Sequence, residues 1–400
     1  MFAALRVRNY RLYAVIQLFA TTASWVQRIA VDWLVFELTG SVTAVGFIVV
    51  VQYGPTLLLG MWGGVIVDRY EVRRLVMAAQ AFLLAASGVL ALLTFTGAVQ
   101  VWHLFVVAAA VGLVQVVDEP ARRVFVSELV DQSLLRTAIS TEAAIFQTAS
   151  MIGPAISGVL LVVAGGPWVF AVTAGFYAVS LTLLLFIDRG RLLLAPSAPR
   201  AKGQVVEALR YVRRKPIIFW TLLLLVFVAG IGLNWPVVLA PMSEDVFGAG
   251  ASGYGVYNSA LAAGALIGAF VSMRRTTLRL RSYVFAVLGF SGFKLLAAAA
   301  GVEWVFVALL ALSGMCLVLM WTSASSLIQL SSNRAIRGRV MALYLLIAIG
   351  GQALGGPILG VVTTAYGARI GMAFSAAVPL LAALAIAMIF ASRIRRRRSA

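Results

Sequence analysis

The chain has 400 residues, of which 62% are hydrophobic and 12% charged, with a mean hydropathy of +1.00. A soluble domain carries about 25% charged residues. Half that amount cannot cover a water-facing surface, which excludes a soluble globular enzyme, a disordered protein and a fibre. The net charge of +18 does not point to nucleic acid, because the basic residues sit in short clusters between apolar runs with few aromatics among them.

A bilayer core takes about 20 apolar residues per helix. Twelve such runs follow one another, at 12–38, 42–66, 75–96, 101–119, 138–163, 167–187, 217–242, 252–273, 282–301, 303–325, 339–364 and 368–391. The start carries Arg6, Arg8 and Arg11 but no small-residue cleavage site, so it reads as an uncleaved first span. Span 1 holds Trp25, Arg28, Asp32, Trp33 and Phe36, with Glu37 nearer its outer end. Span 2 contains Gln52 and ends in Gly60, Gly64 and Asp68, followed by Arg69, Tyr70, Glu71, Arg73 and Arg74. Span 4 begins outside near His103 and ends at Asp118, Glu119, Arg122 and Arg123. Span 5 carries Glu142, Gln147 and Gly153-Pro154. Span 7 carries Asn234 and Trp235, span 9 Lys294, and span 11 Gln352 and Gly356-Pro357. Cys316 is the single cysteine and His103 the single histidine, so neither a disulfide nor a metal set is expected.

Orientation follows from Lys and Arg in the loops. Of the 32 basic residues, 29 fall on one side, Arg369 alone on the other, and Arg28 and Lys294 inside spans. That asymmetry predicts both termini in the cytoplasm and an even number of spans. The predicted organisation is a bundle at 1–187, a basic linker at 188–214 with Pro196 and Pro199, a second bundle at 215–392 and a basic tail at 393–400 against anionic lipid.

The chain also repeats itself at offsets of 202 to 204. Asp32-Trp33 aligns with Asn234-Trp235, Gly60 and Gly64 with Gly264 and Gly268, and Gly153-Pro154 with Gly356-Pro357. Six spans per half give both halves the same orientation, so the repeats are parallel about an axis along the membrane normal.

The loop after span 2, Gly64-Val-Ile-Val-Asp68-Arg69-Tyr70-Glu71-Val-Arg73-Arg74, resembles the G-x-x-x-D-R-x-G-x-R-R signature of the major facilitator superfamily, departing from it at Tyr70 and Glu71. Trp25-Val-Gln27-Arg28-Ile-Ala-Val-Asp32-Trp33, Glu37-Leu-Thr-Gly40-Ser41, Pro120-Ala121-Arg122 and Gly153-Pro154 are similar to the branch holding enterobactin exporters and macrolide efflux pumps. The resemblance implies an all-α membrane protein with twelve transmembrane helices in two parallel-repeat six-helix bundles. It implies a central cavity bounded by spans 1, 2, 4, 5, 7, 8, 10 and 11. It also implies that the loop is a cytoplasmic gate, with Asp68 facing the region from Arg337 to Met341 and Asp118, Glu119 and Arg122 completing the network. The alternative is a set of solvated charges that only obey the orientation rule. In drug/proton antiporters a Gly-Pro motif in span 5 is a recognised feature, but the span 4 arginine of that group has no counterpart here.

An ionisable residue inside a span is a functional candidate by default. Arg28 and Asp32 lie four apart and so on one helix face. Asp32 is the proton-coupling candidate, paired with Arg28, against a purely structural ion pair; its repeat partner Asn234 cannot titrate. Trp33, Gln52, Gln147, Asn234, Trp235 and Gln352 are candidates for the substrate cavity, the tryptophans alternatively marking the outer interface and the amides joining helices. Gly153-Pro154 and Gly356-Pro357 are candidate helix bends. Lys294 is expected to snorkel to an interface. The resulting expectation is a monomeric secondary exporter of amphipathic small molecules in a bacterial inner membrane, coupled to protons and using no cofactor. An importer or lipid translocator of the same fold is the alternative, and a receptor or scaffold the reading from another class. Without a P-loop, metal set or nucleophile–base arrangement, catalysis and primary pumping are not expected.

Overall fold

A computed structural model describes residues 3–193, 204–273, 280–333 and 336–398. Among the described residues every regular element is helical. Hydrocarbon offers the backbone no partners, so each spanning segment must satisfy its own N–H and C=O groups. The α-helices are α1 (Arg8–Thr39), α2 (Val42–Arg69), α3 (Val72–Phe95), α4 (Val101–Leu129), α5 (Gln132–Val163) and α6 (Gly166–Leu185). They continue with α7 (Gln204–Arg214), α8 (Pro216–Phe227), α9 (Trp235–Pro241), α10 (Gly250–Met273), α11 (Leu280–Ala299), α12 (Glu303–Ser331), α13 (Arg337–Tyr366) and α14 (Ala368–Arg398).

Eleven segments among the described residues are long and apolar enough to cross a membrane, with Pro216–Val246 counted as one. The twelfth is α1, whose 32 residues include Arg28, Asp32 and Glu37. It ends at Gly40, where φ of +59° lets the amide cap Phe36 O, a left-handed termination that suits glycine. The cap of α4 gives His103 a role beyond an interfacial one, since its Nδ1 accepts from the Gln100 amide at 2.9 Å.

Several elements depart from the predicted limits. Helix α4 continues ten residues past 119 to Leu129, so Asp118–Arg123 lies within a helix instead of at its end. The stretch expected as a plain linker contains α7, while 194–203 is outside the described residues. Helix α14 runs on through Arg398 into the expected tail; the side chains there are outside the described ones, as are residues 274–279 and Arg334. Span 7, expected as one helix, is broken: a π-turn at Val228–Gly232 separates α8 from α9, and a second follows at Met242–Val246.

The chain forms two compact units. The first comprises Met1–Gly40, Val51–Pro199 and Ala251–Val256. Its core includes Tyr10, Tyr13, Ile16, Phe125, Leu129 and Leu184. Tyr13 meets Phe125 edge-on at 5.2 Å, and Tyr10 Oη donates to Ala138 O at 2.8 Å. The second unit comprises Ser41–Val50, Arg200–Gly250 and Tyr257–Ala400. There Tyr257 stacks edge-on against Phe306 at 4.8 Å and donates to Glu303 Oε1 at 2.7 Å. Helix α10 approaches the backbone of α12 so closely at Gly264 and Gly268 that neither position has room for a β-carbon, the small-residue packing expected where lipid supplies no hydrophobic driving force.

Candidate functional site

In the first unit the candidate residues lie on the polar face of α1. Asp32 is buried, 1% exposed, and neither of its carboxylate oxygens has a hydrogen-bond partner among the described residues. The expected pair with Arg28 is not formed here. Arg28 turns instead to α2, where its Nε donates to Gln52 Oε1 at 3.5 Å and its Nη2 donates to Tyr53 Oη. Its guanidinium lies 4.7 Å from the Tyr53 ring centroid and 5.4 Å from that of Trp25. Two aromatic faces and two neutral acceptors thus hold the cation, leaving the carboxylate one turn away without a direct ion pair. Gln52 adjoins both Arg28 and Asp32. Trp33 is buried and stacks on Tyr254 at 5.6 Å with an interplanar angle of 32°. A charged aspartate at the centre of a spanning helix costs about 2.5–3.5 kcal/mol, so an unpaired one is kept only where it has work to do or a proton to neutralise it. The side chain of Gln147 lies outside those described.

The second unit holds the repeat partners. Asn234 and Trp235 are 2% and 8% exposed and follow the π-turn of span 7. Asn234 Nδ2 donates to Gly230 O at 3.1 Å, while Asn234 Oδ1 and Trp235 Nε1 lack partners among the described residues. Gly351 and Gly355 of α13 press on Ala229 and Gly230 so tightly that a β-carbon at Gly355 would overlap the Gly230 carbonyl. Gly356 lies against Gly46 in the same way, and Gly153 against Trp25 and Thr22 of α1. The helices run through both Pro154 and Pro357, so the glycine of each Gly-Pro pair marks a close helix crossing. Gln352 is half-buried and donates to Ala348 O of its own helix at 3.1 Å.

Lys294 contradicts its expected snorkelling: it is fully buried, its Nζ donates to Gly232 O at 2.8 Å, and it lies 4.0 Å from the Trp235 ring centroid. A carbonyl and an aromatic face inside the protein replace the water it would otherwise have to reach.

The structure divides the residues expected at the cytoplasmic gate. Asp68 and Arg69 are exposed at the end of α2, Gly64 is buried within it, and Arg74 pairs with Glu71 at 2.6 Å on the surface. Arg73 is 4% exposed and donates to Leu184 O at 3.0 Å, capping the last turn of α6, where a cation meets the negative helix end. Asp118 and Arg122 form a 2.7 Å pair that is 7% and 14% exposed. It turns into the first unit, where Arg122 Nη1 donates to Gln17 Oε1 and Gln17 Nε2 donates to Glu142 Oε2 at 3.2 Å. Glu119 and Arg123 stay on the surface, 3.7 Å apart. The side chain of Arg337 is outside those described.

Sequence reasoning missed Gln17, Tyr53 and the partners of Lys294. Gln17 had a signal, since it precedes Arg28 by eleven residues, about three helical turns, and so shares its face. No group of three or more metal-ligating side chains occurs among the described residues. Chemically, the first unit offers a buried carboxylate beside a buried tryptophan, and the second unit offers an unpaired amide oxygen and indole N–H among its described residues.

Comparison with known proteins then identifies the chain's kin. It matches a family described as transmembrane secretion effector over residues 1–399. It is 28% identical to the staphyloferrin A transporter of Staphylococcus aureus over 163 residues, 40% of this chain and 41% of that protein. It is 29% identical to the multidrug efflux pump Tap of Mycolicibacterium fortuitum over 201 residues, 48% of each. The chain thus spans about half the length or less of these curated relatives. Among solved structures, a POT family transporter in complex with 5-aminolevulinic acid superposes with a TM-score of 0.77 at 12% identity, covering 97% of this chain and 96% of that one. That likeness shows the fold.

Proposed function

We propose, from the premise that this chain belongs to the transmembrane secretion effector family of major facilitator transporters, that it is a secondary exporter of amphipathic small molecules. Its substrates are of the drug or siderophore class, and export is coupled to protons at Asp32. The observation that carries this reading is the buried carboxylate of Asp32, without a hydrogen-bond partner on the polar face of α1. A carboxylate that is ionised when wetted and protonated when sealed off changes its charge as access alternates, and that is the requirement for coupling. Two relatives, a staphyloferrin A transporter and a multidrug efflux pump, support the substrate classes.

In this reading the chain acts as a monomer in a bacterial plasma membrane with both termini in the cytoplasm. Bundles 1–187 and 215–392 move about the segment 188–214. Asp68, Arg69 and Arg74 serve the cytoplasmic gate, while Arg73 and the Asp118–Arg122 pair hold the first unit together. Trp33, Gln52, Asn234 and Trp235 contact substrate. Uptake into inside-out and right-side-out vesicles, over a panel of siderophores, macrolides and cationic dyes, tests it. Proton-dependent accumulation in inside-out vesicles alone is expected; accumulation in right-side-out vesicles alone would make the protein an importer.

A further inference from the structure

Span 7 is broken where its repeat partner is not. Helix α1 runs unbroken from Arg8 to Thr39, while the corresponding stretch passes through the π-turn Val228–Gly232 into α9. The sequence explains the difference. In an α-helix the Gly232 carbonyl would accept from the amide of residue 236, and residue 236 is proline, which has no N–H to give. The first-half counterpart of Pro236 is Leu34, an ordinary donor. The carbonyl that Pro236 orphans is the one that Lys294 Nζ reaches at 2.8 Å. Asn234 Nδ2 takes the neighbouring Gly230 carbonyl. The first-half counterparts of Lys294, residues 90–92, are Leu-Ala-Leu, and no orphan exists there for them to serve. Around the break, Phe290 and Pro379 close on Gly232, and Gly351 and Gly355 close on Ala229 and Gly230. The ammonium also sits 4.0 Å from the centroid of Trp235, so one side chain fixes both the break and the indole beyond it.

We propose that Lys294 is the pin of a hinge in span 7: it supplies the donor that Pro236 withholds, keeps the span broken at 228–234, and places Trp235 for transport. It is a positioning residue, acting through the backbone of Gly232 and the ring of Trp235. Proline and lysine form one device, each making the other necessary. Buried lysine without proline would have a normal helix to face, and proline without lysine would leave a carbonyl unpaired in the protein interior, where unpaired backbone groups are rare. The role in transport rests on the proposed function; the existence of the pin does not.

The test is a cycle of Lys294→Met, Pro236→Ala and the double variant in the full chain in nanodiscs. Lys294→Met keeps the unbranched stem of the side chain and removes its donor, so the melting temperature falls. In the double variant the backbone amide restored at position 236 can donate to the Gly232 carbonyl, the helix re-forms, and the melting temperature returns to within about 2 °C of wild type, a non-additivity expected of partners in one network. Hydrogen exchange at residues 233–238 becomes about 10-fold slower than in wild type. The rate of ethidium efflux from proteoliposomes stays about 10-fold low although stability is restored, because the hinge has been lost. Lys294→Met that melts and exchanges like wild type, or a double variant whose melting temperature stays as low as that of Lys294→Met, would overturn the pin. A rescued double variant with wild-type efflux would reduce Lys294 to a helix cap. If wild type moves no ethidium, the substrate class fails, while melting and exchange still decide the pin.

Discussion

Asp118 and Arg122 provide a quantitative check on the first unit. The pair is 2.7 Å apart with side chains 7% and 14% exposed, and the guanidinium also donates to Gln17, which donates to Glu142. Asp118→Asn keeps the shape but leaves the arginine's charge buried without its counter-ion. Breaking a buried pair from one side costs about 3–5 kcal/mol, whereas replacing both partners by apolar residues of similar volume is neutral or stabilising. At about 2–4 °C per kcal/mol for a unit of about 200 residues, Asp118→Asn should lower the melting temperature by about 6–20 °C. Asp118→Leu with Arg122→Met should recover most of that loss. The exposed pair Glu71–Arg74, 36% and 72% exposed, is the control: Arg74→Ala should cost no more than about 1 kcal/mol. Thermal unfolding of purified protein in one detergent, followed by intrinsic tryptophan fluorescence, measures all three. A double variant as unstable as Asp118→Asn, or an Asp118→Asn indistinguishable from Arg74→Ala, would refute the buried-network reasoning.

Other positions give sharper, simpler outcomes. Arg73→Met should destabilise the first unit by about 1–3 kcal/mol by removing the charged donor and leaving the Leu184 carbonyl only its 3.4 Å bond from the Ile187 amide, seen as a lower melting temperature, with Arg73→Lys losing less. Gly355→Val places a β-carbon on the Gly230 carbonyl, and overpacking of this kind costs about 1–3 kcal/mol or more; expression and melting temperature should both fall, whereas Gly292→Ala, in open space, should change neither. Tyr53→Phe removes one acceptor from Arg28 and leaves the ring face, so the loss in stability should stay at about 1 kcal/mol; a loss as large as that of Asp118→Asn would mean the hydroxyl, and not the ring, holds the cation.

Much of the fold was legible because membrane insertion writes it into hydropathy. Runs of apolar residues marked the spans, α1 among them at 12–38 despite its charges. What failed depends on where a side chain finds its partner. The i, i+4 spacing of Arg28 and Asp32 placed them on one face correctly, yet α2 offers Arg28 an aromatic hydroxyl and an amide, and spacing within one helix cannot reveal a neighbour's offer. Lys294 was expected at an interface because a lone cation needs water or a partner; its partner is a backbone carbonyl, invisible unless Pro236 is read as creating it. Arg73 and Asp118–Arg122 were expected at the cytoplasmic gate, with solvated charges as the alternative, since they cluster near helix ends. Helix α4 continues past Asp118–Arg122, and burial then turns that pair inward, while Arg73 is buried against the end of α6. The helix in 204–214 carried a signal in its apolar Val205, Val206, Leu209 and Val212 among basic residues, which a count of basic residues alone hides.

Coupling at Asp32 is tested most directly by proton movement driven by substrate in proteoliposomes, comparing wild type with Asp32→Asn. The substitution keeps size and hydrogen-bonding capacity, copies the residue already present at 234, and removes only the proton. With a substrate identified by the vesicle panel, wild type should move protons inward as substrate leaves and accumulate substrate against its gradient. Asp32→Asn should bind the same substrate, let it equilibrate at most, and move no protons. Uphill export by Asp32→Asn with the proton flux of wild type would contradict the account, and Glu142, at the end of the Gln17 chain, would be the next carboxylate to replace.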